Sequence, residues 1–139
     1  MALPPNMERA SKLIRRLRLP GETITAASYI DLIKRREQFI RTINAAAAGY
    51  DAMLMPTTPE TAPTIAEAGK DDETYTRLSL RMAGNTLVVN LFDGCALTIP
   101  CHAPGTAPVG MMIAGTQGTD RRILAIGLAV EGVVSKLHG

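Results

Sequence analysis

Hydroxyl nucleophiles are few in this chain: the serines are Ser11, Ser28, Ser79 and Ser135. None stands in a G-x-S-x-G turn, and none has a glycine or a second serine beside it. Ser11-Lys12 and Ser135-Lys136 place an amine next to a hydroxyl, but adjacent residues on a helix point in different directions, so neither pair forms a dyad. Cys101-His102 offers a thiol beside an imidazole. Neighbours on an extended strand face opposite sides, which keeps those two apart. Cys95 and Cys101 are six positions apart with one nearby histidine, a spacing that fits no zinc site, so both read as small buried hydrophobes. Gly115-Thr-Gln-Gly118-Thr-Asp-Arg-Arg122 is a glycine turn at a helix start, where free N–H groups and two arginines could hold an anion. It is neither a Walker loop nor G-x-G-x-x-G, Asp120 would repel phosphate, and the turn itself accounts for the glycines. No pattern calls for a cofactor or a metal.

The elements that position these residues belong to a chain of 139 residues, one domain in size. Aromatics make up 4% and tryptophan is absent, so the core rests on Leu, Ile, Val, Met and Ala. No run approaches the roughly 20 apolar residues of a membrane span, and no secretory leader pattern opens the chain. Two cysteines do not make a disulfide framework, and a cytoplasmic protein is expected. The net charge of +2 is unevenly spread: residues 1–41 hold 9 basic and 4 acidic groups. Without aromatics interleaved, that basic cluster reads as the solvated face of two helices rather than a nucleic-acid footprint.

A first helix is predicted from Met7 to about Leu17, ending before Pro20-Gly21. A second starts at the cap Thr25, carries the stripe Tyr29, Leu32, Ile33, Ile40, Ile43 and Ala47, broken by Arg36 and Glu37, and ends at Gly49. Asp51 to Met55 reads as a buried strand, Pro56 to Pro59 and residues 63–73 as loops, and Tyr75 to Leu91 as one helix weakened by Gly84-Asn85. Residues 96–101 and 109–114 are strands whose link is too short for a crossover, hence antiparallel. Thr119 caps a last helix with the stripe Ile123, Gly127, Val130, Val134 and Leu137, widened by Leu124 and Leu128. The order gives an α/β layer around a mixed sheet.

Several strings, in order, resemble the C-terminal region of amidase-signature hydrolases. They are Ile24-Thr-Ala-Ala-Ser-Tyr29 leading to Arg35-Arg36, Tyr50-Asp-Ala-Met-Leu-Met-Pro-Thr-Thr-Pro59 with Ala62-Pro-Thr-Ile65, and Asn85-Thr-Leu-Val-Val-Asn90 before Asp93-Gly-Cys-Ala-Leu-Thr-Ile-Pro-Cys101. Ala107-Pro-Val-Gly-Met-Met-Ile-Ala-Gly115 and Arg122-Ile-Leu-Ala-Ile-Gly-Leu-Ala-Val-Glu131 complete the series. Two small departures are Ser28, where a capping-box glutamate is expected, and Asp120, where the family commonly has a glutamate.

The resemblance implies an α/β/α layered fold with a mixed sheet, an antiparallel strand pair and packed helices, of which residues 1–139 would be the C-terminal part. It implies hydrolysis of a carboxylic amide to acid and ammonia or amine by a Ser–Ser–Lys apparatus set in a Gly/Ser-rich signature. That signature is absent from this sequence, so no catalytic residue is assigned and the chain is expected to be inactive alone. The family's acyl pocket borders the helix before Asp93-Gly94, which makes Thr86, Asn90 and Asp93, at i, i+4 and i+7, candidates to orient a substrate amide. The alternative for Asn90 and Asp93 is a capping role at the helix end. Expected partners are the amide substrate in the complete enzyme, the missing N-terminal portion and further copies of the chain. Other readings are a non-catalytic interaction module from a truncated or split gene, and a glutamine-dependent amidotransferase A-type subunit.

Overall fold

The structure, a computed structural model, describes Met7, Glu8, Ser11, Lys12, Ile14, Arg15 and residues 19–138, the last two without their side chains. Met7, Glu8, Ser11, Lys12, Ile14 and Arg15 are helical, and Lys12 lies 3.4 Å from Glu8 and 3.7 Å from Asp72. Arg9, Ala10, Leu13, Arg16 and Leu17 of the expected first helix lie outside the described residues, and a short 3-10 turn, Leu19–Thr23, comes next among the described ones.

Helix α1, Ala26–Ala47, begins at Thr25, whose hydroxyl accepts from the Ser28 backbone N–H at 3.1 Å. The Ser28 hydroxyl lies 2.9 Å from the Thr25 hydroxyl, so the serine answers its cap through the side chain rather than through the capping-box bond. Gly49 turns the chain at φ +90°, where a side chain would be strained. The expected stripe is only half used. Phe39, Ile40 and Ile43 pack on the sheet, whereas Tyr29, Leu32 and Ile33 are exposed because no other described element covers the N-terminal half of the helix.

Strand β1, Met53–Pro56, leads into a loop, and residues 63–73 depart from the expected plain loop. Thr64 caps a four-residue helix, α2, Ile65–Ala68, and Asp71 caps α3, Asp72–Met82, with Asp72 and Glu73 in its first turn. The acidic run is thus a helix start, favoured by the macrodipole, and not a surface loop. The single helix expected to Leu91 is broken at Ala83, which ends α3 and opens α4, Gly84–Leu91.

Strands β2, Cys95–Pro100, and β3, Gly110–Gly115, form the expected antiparallel pair, with β1 antiparallel to β3 on its other side. The order is β1-β3-β2, so all pairing among the described residues is antiparallel. Central β3 is apolar throughout because both of its faces are covered. On one face Met112 and Ala114 pack with Val89 and Phe92 of the α4 region and with Phe39, Ile40 and Ile43 of α1. On the other, Ile113 and Ile99 meet Ile123 of the last helix, α5, Asp120–His138, with Leu97, Val130 and Val134 around them. This gives helices on both faces of a sheet, an α/β/α layering. Leu124 and Leu128, expected to widen the packed stripe of α5, instead face outward at 59% and 73% exposure. Leu137, the last residue of that stripe, has its side chain outside the described residues.

Candidate functional site

The candidate site forms where α4 ends and β2 begins. Gly94 N–H donates to Val89 C=O at 3.0 Å and Asp93 N–H to Asn90 C=O at 3.3 Å, with Asp93 at φ +57°. That is a Schellman ending with aspartate at the left-handed position glycine usually takes. The backbone does the capping, so the Asp93 carboxylate is left for another partner. It pairs with the Arg36 guanidinium of α1, 57 positions away in sequence, with the two side chains 43% and 34% exposed. An aspartate tolerates this conformation better than most residues but less well than glycine.

The three residues picked out by spacing are not arranged as that spacing implies. Thr86 and Asn90 lie one turn apart in α4, but the helix ends at Leu91 and Asp93 follows the reversal of the chain, so i+7 helical geometry does not apply to it. The Thr86 hydroxyl donates to Ala83 C=O at 2.9 Å within its own helix. Asn90 is exposed. Its amide can both donate to and accept from another amide, and the Asp93 carboxylate has acceptor capacity beyond its contact with Arg36.

Two residues that fix the region are not singled out by the sequence. Arg36 stands there as a break in an apolar stripe and as part of the Arg35-Arg36 string, with no partner assigned; a cation on the inner side of such a helix signals a partner, though not which one. Asn85, in the first turn of α4, donates Nδ2–H to Pro56 C=O at 2.7 Å and so ties the helix to the end of β1. The loop that follows β1 is pinned beside it. Thr57 N–H donates to Gly110 C=O at 2.9 Å, and the Thr57 and Thr98 hydroxyls lie 3.0 Å apart. Arg81 Nε lies 2.9 Å from Glu60 Oε1. Gly94 is required by crowding: a Cβ there would lie 2.7 Å from Gly115 O and closer still to the Phe92 ring.

The other sequence candidates form no nucleophile–base hydrogen bond among the described residues. Cys101 Sγ and His102 Nδ1 both approach Val109 C=O, at 3.6 and 3.3 Å. Cys95 Sγ lies 3.4 Å from the Thr119 hydroxyl. Both cysteines are only partly buried, not the fully buried hydrophobes expected, because each lies at a strand end beside a loop. The Ser28 hydroxyl is taken by Thr25, and the Ser135 hydroxyl donates to Glu131 C=O at 2.8 Å. At the Gly115–Arg122 turn the Thr119 hydroxyl donates to Thr116 C=O at 2.7 Å. The crevice between Asp51, Thr116 and Arg122 has only about 20 Å³ of free volume, room for about one water. A larger open groove of about 290 Å³, lined by Leu54, Met55, Pro56, Cys101, Val109, Gly110 and Met111, is apolar and contains none of Thr86, Asn90 and Asp93. Among the described residues no helix is long and apolar enough to cross a membrane.

Known proteins share this arrangement of elements. The model of the Amidase family matches residues 6–124, most of the chain. The chain belongs to the amidase family. It is 29% identical to the 2-amino-5-chloromuconic acid deaminase of Comamonas testosteroni over 97% of its own length and 29% of that protein. It is 32% identical to the A-type subunit of the glutamyl-tRNA(Gln) amidotransferase of Symbiobacterium thermophilum, over 86% of this chain and 25% of the other. A crystal structure of an amidase superposes with a TM-score of 0.65 at 25% identity, covering 94% of this chain and 29% of that one. The chain therefore spans under a third of the length of these amidase-family proteins.

Proposed function

We propose that these residues build the acyl-pocket side of an amidase that hydrolyses a carboxylic amide to acid and ammonia or amine, and that they do not supply its nucleophile. Asp93 carries this reading. A carboxylate held in a left-handed backbone conformation that glycine would adopt at lower cost, with its cap made entirely by backbone groups, points to a use for the carboxylate itself. Arg36 fixes its direction, and Asn90 joins it at the helix end, where Asn90 C=O accepts the Asp93 N–H. Together they can orient an amide by accepting its N–H and donating to its carbonyl, while Thr86 adds a hydroxyl one turn earlier. Attack on the carbonyl belongs to Ser and Lys groups outside these residues, the second serine relaying a proton to the lysine.

Both named relatives act on nitrogen attached to carbon by their names, one as a deaminase and one as part of an amidotransferase. The second supports the alternative of an A-type amidotransferase subunit, which would release ammonia for a tRNA-bound amino acid.

The test is complementation. The part of the Comamonas testosteroni deaminase outside its match to this chain is co-expressed with this chain, and ammonia release from amides and from 2-amino-5-chloromuconic acid is measured. Release that requires both pieces, and that falls at least about tenfold in kcat/KM for Asp93→Asn, supports the reading; loss of a hydrogen bond to a charged group is worth about 1.5–3 kcal/mol. A complex that forms and hydrolyses at an unchanged rate with Asp93→Asn removes Asp93 from the pocket. Glutamine-dependent transfer without free amide hydrolysis would favour the amidotransferase reading.

A further inference from the structure

The rotation of α5 about its own axis is fixed by how it meets the sheet. A Cβ on Gly127 would lie 2.5 Å from the Leu97 side chain of β2, and Ile123, Val130 and Val134 turn the same way into the core. With that side down, Arg121, Leu124, Leu128 and Glu131 are all exposed. These four stand at i, i+3, i+7 and i+10, the alternating spacing of three and four with which one helix meets another along a seam. Small residues, Ala125 and Gly132, directly follow the second and the last of them. Nothing lies within 4 Å of where a Cβ on Gly132 would stand, so another helix can come close on that flank.

The charges that end this seam are unused within the chain. Neither Arg121 nor Glu131 has an ion-pair partner among the described residues. Arg121 also lies in the first turn of α5, where the helix macrodipole disfavours a cation. A carboxylate brought to it from outside would offset that repulsion. Helix α4 exposes Leu87 and Leu91 as well, but it carries no charged residue, so nothing on that face selects one partner over another.

We infer that this seam pairs with the same seam of a second copy of the chain, the two α5 helices running antiparallel about a two-fold axis. The pairs Leu124–Leu128 and Arg121–Glu131 share one midpoint, the level of Ile126. A single two-fold axis at that level therefore sets Leu124 against the other copy's Leu128 and Arg121 against its Glu131, and repeats each contact with the roles exchanged. Parallel pairing would set Arg121 on Arg121 and Glu131 on Glu131, so like charges reject it and fix the orientation. Two leucine contacts closed at each end by an ion pair span about three turns of helix. That is a small interface, of the weak and reversible class. The inference concerns how the chain assembles and not which residues touch an amide, so it stands or falls separately from the role of Asp93.

Sedimentation equilibrium on the purified chain, with charge reversals at the ends of the seam, tests it. The chain dimerises at about tens of micromolar, and the dimer weakens as salt is raised. Arg121→Glu and Glu131→Arg alter exposed side chains, so melting of the chain changes little, while each raises the dimer dissociation constant about tenfold or more. Both changes in one chain restore dimerisation, because each reversed charge again meets its opposite across the axis. An equimolar mixture of the two single variants restores it for the same reason. Leu87→Ser, on the exposed side of α4, leaves the dimer intact. A monodisperse monomer at these concentrations, single reversals without effect, or a double reversal as weak as either single one would overturn the proposal. So would displacement of the second copy by the remainder of the Comamonas testosteroni deaminase, with the reversals weakening that assembly instead.

Discussion

At the scale of single residues, Asp93 separates structure from chemistry unusually cleanly, because its backbone makes the cap while its side chain reaches Arg36. Asp93→Gly keeps the turn, relieves the left-handed conformation and removes a half-exposed ion pair worth about 0.2–1 kcal/mol, so stability should change by no more than about 1 kcal/mol. Asp93→Asn should be equally mild. In the complete enzyme, however, both should lower kcat/KM at least about tenfold if the carboxylate holds substrate. Asn90→Ala removes an exposed amide and should likewise lower kcat/KM more than it lowers the melting temperature. Thermal midpoints read beside kcat/KM check this; variants that melt several degrees lower with near-normal kcat/KM would make these residues structural. Asn90 and Asp93 are legible in the sequence as residues, but their relative geometry is not. The i+7 spacing needs a helix through Asp93, and an aspartate at a Schellman reversal carries no signal as strong as glycine would. Arg36 is unreadable as a partner for a different reason: 57 positions separate it from Asp93, and only the packed fold brings them together.

At the scale of elements, the Asp71 cap governs how α3 responds to acid. Its carboxylate accepts from the Thr74 N–H at 2.6 Å and from the Thr74 hydroxyl at 3.1 Å, and these bonds, with Lys70 nearby, hold its pKa below the ordinary 3.8. A carboxyl whose pKa is lower folded than unfolded stabilises the fold above its unfolded value, and that contribution is lost as pH falls through the folded value. Protection of the Thr74 amide against exchange, taken relative to the free-peptide rate at each pH, should therefore fall below the ordinary aspartate range in the native chain. Asp71→Asn should keep a cap and flatten that pH dependence, and an unchanged profile would show that the cap does not control the turn. The elements themselves are legible to different degrees. The uninterrupted apolar run of β3 and the glycine at the end of α1 mark those elements plainly. The starts of α2 and α3 carry good caps in Thr64 and Asp71, but proline and a dense acidic run read as loop. The N-terminal half of α1 has an apolar stripe that no described residue covers, so its periodicity gives the helix correctly while the inferred burial fails.

At the scale of the whole molecule, apolar surface is left open on several sides: Tyr29, Ile30 and Leu32 of α1, Leu87 and Leu91 of α4, and Leu124 and Leu128 of α5 are each 47% exposed or more. Surfaces of this kind are ordinarily covered by other polypeptide. The isolated chain is accordingly expected to self-associate through its helix faces, at about tens of micromolar, in the concentration range where partly exposed apolar species aggregate. Light scattering showing a monodisperse monomer there would contradict this. If these residues shape the substrate side of an amidase without providing its nucleophile, the purified chain alone should hydrolyse no amide, and ammonia release reads this out without intermediaries. No release above buffer is predicted from simple amides. Turnover above buffer that disappears when Ser11, Ser28, Ser79 or Ser135 is changed to alanine would place a nucleophile within this chain and overturn that division of labour.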